Sequence, residues 1–248
     1  MPSDFSTPTG PIGPNEIPAG PGPQAPPALI SLREVTFAYP DGPPVLENFS
    51  LDFPADGRIG LVGSNGCGKT TLLYLIMGLL KPGRGRLEIF GRPCREEKDF
   101  RELRPQMGFV FQDANDQLFC PTVADDLAFG PLNLGRSREE AHQIVHEILD
   151  LLGLDGFENR VTYDLSAGEK KLVSIGTALA LRPRLLILDE PTTCLDQATV
   201  ERLEGILQDC GLPYLIVSHD RDFLNRVTRR RLLMRPGRPL EEEVQGAS

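Results

Sequence analysis

The chain has 248 residues, enough for one full-sized domain with a small appended unit but too few for two independent cores. With 40% hydrophobic and 25% charged residues, its composition is that of an ordinary globular protein, and a formal net charge of -9 argues against a nucleic-acid partner, which needs a basic surface. No apolar run approaches the roughly 20 residues of a membrane-spanning helix, the first residues carry no secretion signal, and five scattered cysteines without a C-x-x-C pair read as reduced thiols.

Residues 1–28 hold mainly Pro, Gly, Ser, Thr and Ala without apolar periodicity, which predicts a disordered arm. Beyond it, Ile30, Leu32, Val35, Phe37 and Tyr39 alternate with polar residues and predict a β-rich opening that turns at Pro40-Asp41-Gly42-Pro43. A second strand is expected at 51–53 and a third at 58–62, which runs into a glycine-rich loop followed by a helix over 71–80. Short apolar runs at 87–90, 108–111, 185–188 and 214–217 alternate with helical patterns, the signature of an α/β protein with a mostly parallel sheet. Between the middle two runs, residues 113–182 read as an inserted helical subdomain. Ser137-Arg138-Glu139-Glu140 forms a capping box there, and Ala141, Ile144, Val145, Ile148, Leu149 and Leu152 follow at helical spacing. The main domain is expected to span 29–240, with a last strand near 229–234 and a short, solvated acidic tail over 241–248.

Chemistry enters at Gly63-Ser64-Asn65-Gly66-Cys67-Gly68-Lys69-Thr70, which satisfies G-x-x-x-x-G-K-[ST] between a strand and a helix. The glycines let main-chain N–H groups curl around phosphates at a helix N-terminus, where the helix dipole adds favourable potential. Lys69 suits the β- and γ-phosphates, and the Thr70 hydroxyl suits a Mg²⁺ bridging them. The four apolar residues at 185–188 lead into Asp189 and Glu190 at the end of a strand, where open α/β sheets place their ligands. Asp189 suits Mg²⁺, directly or through water. Glu190 suits orienting or deprotonating an attacking water, a role worth about 10²–10⁴ in rate.

In this order the motifs resemble those of the ATP-binding-cassette (ABC) ATPases. The likeness rests on Tyr39 at the adenine-stacking position, the phosphate loop, Gln112 in Val110-Phe111-Gln112-Asp113, the signature Leu165-Ser166-Ala167-Gly168-Glu169, Asp189-Glu190, the D-loop Thr193-Cys194-Leu195-Asp196, and His219 in Val217-Ser218-His219-Asp220. The resemblance implies a P-loop NTPase core with an N-terminal antiparallel β part and an inserted helical subdomain, binding ATP and Mg²⁺. Tyr39 would stack on the base, a contact worth about 1–3 kcal/mol, and Thr71 would follow Thr70 along the phosphates. Gln112 would reach metal and water, and His219 the γ-phosphate. Ser166 and Glu169 read locally as a capping box opening a helix over 170–181. The resemblance adds that this helix end, with Gly168 and the D-loop Asp196, serves a nucleotide bound between two head-to-tail ATPase subunits, a homodimer or a pair of paralogues. Ala167 departs from the usual glycine and Glu169 from the usual glutamine.

The stretch 112–119 and its continuation through 121–133 are similar to the energy-coupling-factor branch, which serves importers of cobalt, nickel and vitamins. That likeness implies an integral membrane transport subunit as partner and a peripheral position on the cytoplasmic face of the cell membrane. Phe119, Phe129 and Leu132 are then candidates for a groove that docks the partner. The alternative is a soluble, non-transport ABC ATPase acting as a nucleotide-driven clamp, which usually carries a coiled-coil insertion or a second cassette; neither is present here. A binding-only subunit would not need to keep Lys69, Asp189, Glu190 and His219. His142 and His146, at i and i+4, read as a solvated helix face rather than a metal site. Arg226 and Arg229 to Arg231 read as a charged strand flank or a lipid-headgroup contact.

Overall fold

A computed structural model of the chain describes residues 28–237 and 240–243. The expected arm therefore lies, apart from residue 28, outside the described residues, as does the tail beyond 243. Strands β1 (Ile30–Ala38) and β2 (Pro44–Phe53) form a hairpin, and the chain then enters a second layer through β3 (Arg58–Gly63) and helix α1 (Lys69–Ile76). It returns as β4 (Arg84–Ile89) and β5 (Arg92–Cys94), completing a four-stranded antiparallel sheet of order β2-β1-β4-β5. Three register shifts interrupt the β1–β2 pairing, and Asn48 takes a positive φ of 47°. These bulges break strict alternation, so β2 is longer than the 51–53 that its apolar pattern predicts. The short β5 has no apolar alternation of its own, and Pro93 suits the sheet edge that it occupies.

After α2 (Glu97–Arg101) come β6 (Met107–Val110), α3 (Val123–Asn133), α4 (Arg138–Leu152) and α5 (Ala167–Ala180). The chain then runs through β7 (Leu185–Asp189), α6 (Gln197–Asp209), β8 (Tyr214–Val217), α7 (Arg221–Val227), β9 (Arg230–Met234) and β10 (Glu241–Glu243). The second sheet has the order β10-β9-β3-β8-β7-β6; all its pairings are parallel except β10 against β9. Residues 241–243 thus form an edge strand rather than a loose tail. Main-chain pairing at a sheet edge needs no apolar side chains, and Arg230 and Arg235 offset the charges of Glu242 and Glu241 at 2.9 and 3.2 Å. Helix α1 stops at Ile76 instead of running to residue 80, because Gly78 turns left-handed at φ 67° and the N–H groups of Gly78 and Leu79 fold back to the carbonyls of Leu75 (3.1 Å) and Tyr74 (2.9 Å).

The parallel sheet is packed on both faces, which is why its central strands read as unbroken apolar runs. In β7, Leu185 and Ile187 face α1 and the antiparallel sheet, while Leu186 and Leu188 face the helices on the other side. The helical layer closes around Gly176 of α5, where a Cβ would lie 2.8 to 2.9 Å from Leu152, Ile148 and Leu127. The expected box at the start of α4 is present: Glu140 N donates to Ser137 Oγ at 3.1 Å, and Ser137 N donates to Glu140 Oε2 at 2.8 Å.

Candidate nucleotide site

Parallel strands deliver their C-terminal ends to one edge of the sheet, and β3, β7 and β8 each continue there into a residue set singled out from the sequence. The loop after β3 runs Gly63 to Thr70. Gly66 and Gly68 take φ values of 76° and 103°, and a Cβ on Gly63 would fall 2.5 Å from the Met234 carbonyl oxygen. The loop is thus shaped by positions that tolerate no side chain. Cys67 is buried at 1% exposure, so this loop thiol is not an accessible one; the exposed cysteine near the site is Cys194. Lys69 Nζ folds back to donate to the carbonyls of Gly63 (2.9 Å) and Ser64 (3.1 Å), and lies 3.4 Å from His219 Nε2.

The Thr70 hydroxyl donates to Asp189 Oδ2 at 3.0 Å. Asp189 Oδ1 is buried without a hydrogen-bond partner, and burial pushes this carboxyl above its ordinary range, with Thr70 and Lys69 pulling against it. A hydroxyl beside a carboxylate with an unsatisfied oxygen is the hard, oxygen-only donor set that Mg²⁺ prefers, so these residues fit the ion. Among the described residues no cluster of three or more His, Cys, Asp or Glu side chains offers another metal site. The rings of His142 and His146 meet edge to face at 4.5 Å, and His146 sits 3.6 Å from Glu158.

Glu190 follows in left-handed backbone, φ 44°, a conformation that costs a non-glycine residue about 1–2 kcal/mol. Two contacts hold it there. Its N–H donates to the Val217 carbonyl at 2.8 Å, and its Oε2 accepts from His219 N at 3.1 Å. Its Oε1 has no hydrogen-bond partner and lies 3.3 Å from His219 Nε2, near enough to pair with a protonated ring. Gln112, Tyr39 and Thr71 line the same cleft of about 640 Å³ as Lys69, Thr70, Asp189, Glu190 and His219. The Tyr39 hydroxyl shares a 3.2 Å hydrogen bond with that of Thr71, and its ring stands edge-on to Phe37.

Seven of the singled-out residues do not line this cleft: Gly63, Ser64 and Cys67 of the phosphate loop itself, and Ser166, Gly168, Glu169 and Asp196 on other elements. Ser166 caps α5 in a box with Glu169, whose N–H donates to Ser166 Oγ at 3.3 Å and whose Oε2 accepts from Ser166 N at 2.7 Å. That backbone donation holds the Glu169 carboxyl below its usual range, and Arg160, stacked on Phe157, neutralises it from 3.2 Å. Asp196 caps α6 by accepting from Thr199 N at 2.7 Å. The arginine cluster near β9 is matched by acids: Arg226 by Glu204 and Arg229 by Asp56, with Arg230 paired to Glu242 as above.

Sequence pattern missed three polar residues that tie the loops after β6 to the helical layer, Lys171 and Asp126 buried and Gln117 half-buried. Lys171 donates to the carbonyls of Phe111 and Gln112, burial lowering its pKa while nearby acids work the other way. Gln117 bridges Phe111 to α5. Asp126 accepts from the N–H groups of Phe119 and Cys120 and from the Thr162 hydroxyl. Nothing in local periodicity separates a buried polar side chain of this kind from a solvated one.

Fold and cleft together define an α/β protein of the P-loop nucleotide-binding class. Residues 46–193 match the family model described as ABC transporter, and the chain belongs to that family as an ATPase subunit. It is 39% identical over 218 residues to the energy-coupling factor transporter ATP-binding protein EcfA of Methanothermobacter thermautotrophicus, covering 86% of this chain and 70% of the relative. Among solved structures, cbiO1 from Clostridium perfringens, part of the ABC transporter complex cbiONQ, superposes with a TM-score of 0.79 at 30% identity over 87% of each chain. The ATP-binding cassette MJ0796, in a dimeric post-hydrolysis state bound to ADP and Pi, superposes with a TM-score of 0.78 at 27% identity, covering 86% of this chain and 97% of that one.

The raised pKa of Asp189 has a sign that can be tested. A carboxyl held above its unfolded value is charged at a cost at neutral pH, and that cost falls as the pH drops through the raised pKa. Asp189→Asn is therefore expected to raise the thermal midpoint of the nucleotide-free protein while abolishing Mg²⁺-dependent hydrolysis. Thermal unfolding and a phosphate-release assay read the two effects; a lowered midpoint would contradict the assignment of Asp189 as a strained ligand.

Proposed function

We propose that this chain is the ATP-binding and ATP-hydrolysing subunit of an importer of the energy-coupling-factor type, moving cobalt, nickel or a vitamin through an integral membrane partner at the cytoplasmic face of the cell membrane. The observation that carries the ATPase half is the convergence of the Lys69 loop, the Thr70–Asp189 pair and the Glu190–His219 pair on one sheet edge. Lys69 leaves its loop carbonyls for the β- and γ-phosphates of ATP, and the loop's main-chain N–H groups hold the phosphate oxygens. Thr70, Asp189 and Gln112 are the residues that would hold Mg²⁺, which offsets charge developing on the phosphates. Glu190 takes the proton of the attacking water, and His219, whose Nε2 lies 3.3 Å from Glu190 Oε1 and 3.4 Å from Lys69 Nζ, holds the γ-phosphate beside them. Because Ser166 and Gly168 lie outside this cleft, they are assigned to the nucleotide of a second ATPase subunit, so that bound ATP joins the pair and hydrolysis releases it. The dimeric relative bound to ADP and Pi supports this reading.

The transport half is supported by the energy-coupling-factor relative and by an apolar recess. A cavity of about 380 Å³ opens between the β6 end and α3 and α5, lined by Met107, Phe129, Leu134 and Leu181 among others. At its mouth Phe119 and Phe129 meet edge to face at 4.8 Å although they are 59% and 47% exposed. Large aromatic side chains left in water beside a recess mark a docking surface. The partner assigned to it is a short helix of the membrane subunit. No helix of the described residues is long and apolar enough to cross a membrane, so the passage itself falls to that partner. Phe129→Asp should abolish co-purification of the membrane subunit yet leave ATP binding by calorimetry unchanged; retained co-purification would contradict the docking assignment.

A further inference from the structure

Lys171 is 3% exposed and sits in the second turn of α5, the helix that Ser166 caps. Its ammonium donates to the carbonyls of Phe111 at 3.0 Å and Gln112 at 2.7 Å, the two residues on which the chain leaves β6. Taking an ammonium out of water costs several kcal/mol unless strong bonds replace its hydration, so such contacts are not incidental. Gln117 repeats the connection: its Oε1 accepts from Phe111 N at 3.1 Å, while its Nε2 donates to the Ser174 carbonyl and the Thr177 hydroxyl, both at 2.7 Å. The segment bearing Gln112 is thus fastened to α5 at two successive turns. Between these fastenings and the helix end, a cleft of about 490 Å³ separates Asp113 and Asp116 from Ala167 and Lys170.

We propose that Lys171 is a positioning residue that locks Gln112, which faces the chain's own nucleotide, to the helix that presents Ser166 to the nucleotide of the second subunit. Gln112 and the Ser166 helix end then move together, so that contact of Gln112 with the first nucleotide sets the placement of the helix end toward the second. This rests on the paired-ATPase reading above. It assigns to a side chain within α5 a coupling that Gln112 alone, an exposed residue on a loop, cannot enforce.

The test uses the Glu190→Gln chain, paired with a second copy or with the paralogue that co-purifies, and follows ATP-driven pairing by analytical ultracentrifugation and ATP affinity by calorimetry. Adding Lys171→Met should leave ATP affinity within about threefold and weaken pairing by about tenfold, within the range for residues that carry coupling between sites. Lys171→Gln, which keeps two donors, should restore most of the pairing. Pairing unchanged by Lys171→Met, or ATP affinity lost in step with pairing, would overturn the proposal. If Lys171→Met does not fold, Gln117→Met removes the second fastening and is read by the same two measurements. A Glu190→Gln parent that stays unpaired with saturating ATP overturns the paired-ATPase reading itself, and the proposal with it, which separates that failure from the others.

Discussion

Replacing Glu190 with glutamine should reduce ATP hydrolysis by about 10²–10⁴, leave ATP binding intact and accumulate a nucleotide-bound pair of subunits. One oxygen of the Glu190 carboxylate is tied to His219 N, while the other is buried with no hydrogen-bond partner at the edge of the cleft. A buried, unsatisfied oxygen on a residue in left-handed backbone is costly, and such strain persists where the surroundings impose it for a purpose. Accepting a proton from water fulfils that purpose, and an amide of the same shape cannot do it. Size-exclusion chromatography with ATP, alongside phosphate release, reads both consequences; undiminished turnover would remove Glu190 from the mechanism.

Replacing Lys69 with alanine should weaken ATP binding by about 10–100-fold, because a charge-assisted hydrogen bond is worth about 1.5–3 kcal/mol and each 1.4 kcal/mol is a factor of ten. Part of that loss arises before nucleotide arrives. In the free protein the ammonium ties the end of the loop back to the Gly63 and Ser64 carbonyls at its start, so the alanine variant also loses the restraint that keeps the loop in a phosphate-ready shape. Calorimetry measures the affinity, and a value within about threefold of the parent would show that the loop's main chain alone holds the phosphates.

The parts of this molecule that the sequence made legible are those where local pattern and tertiary role coincide. β3, β7 and β8 are buried on both faces and read as apolar runs. The phosphate loop is legible because its glycines are demanded by backbone geometry within eight consecutive residues. Legibility fails where a distant contact decides the outcome. The early end of α1 is a local signal at Gly78 that the apolar periodicity overran, but the bulges of the β1–β2 pairing hid most of β2, and β9 recruited three glutamates as an edge strand. Lys171 and Gln117 escaped for the same reason: a lysine and a glutamine look solvated in sequence, and only the approach of β6 to α5 buries the first and half-buries the second. Cys67 lies in the phosphate loop, yet its thiol is buried against Gly63.

The Glu169 position shows how a departure from the family pattern is accommodated. A carboxylate beside a partner's phosphates is electrostatically unfavourable, but here it is committed to the Ser166 N–H and neutralised by Arg160.

The central claim is that one ATP is held by two chains, the Lys69 loop of one and the Ser166 helix end of the other. The most direct measurement is the structure of the Glu190→Gln protein trapped with ATP and Mg²⁺. The account predicts Ser166 Oγ within hydrogen-bonding distance of the γ-phosphate bound by the opposing subunit. A nucleotide touched by the Lys69 loop alone, with both Ser166 helix ends facing solvent, would contradict it.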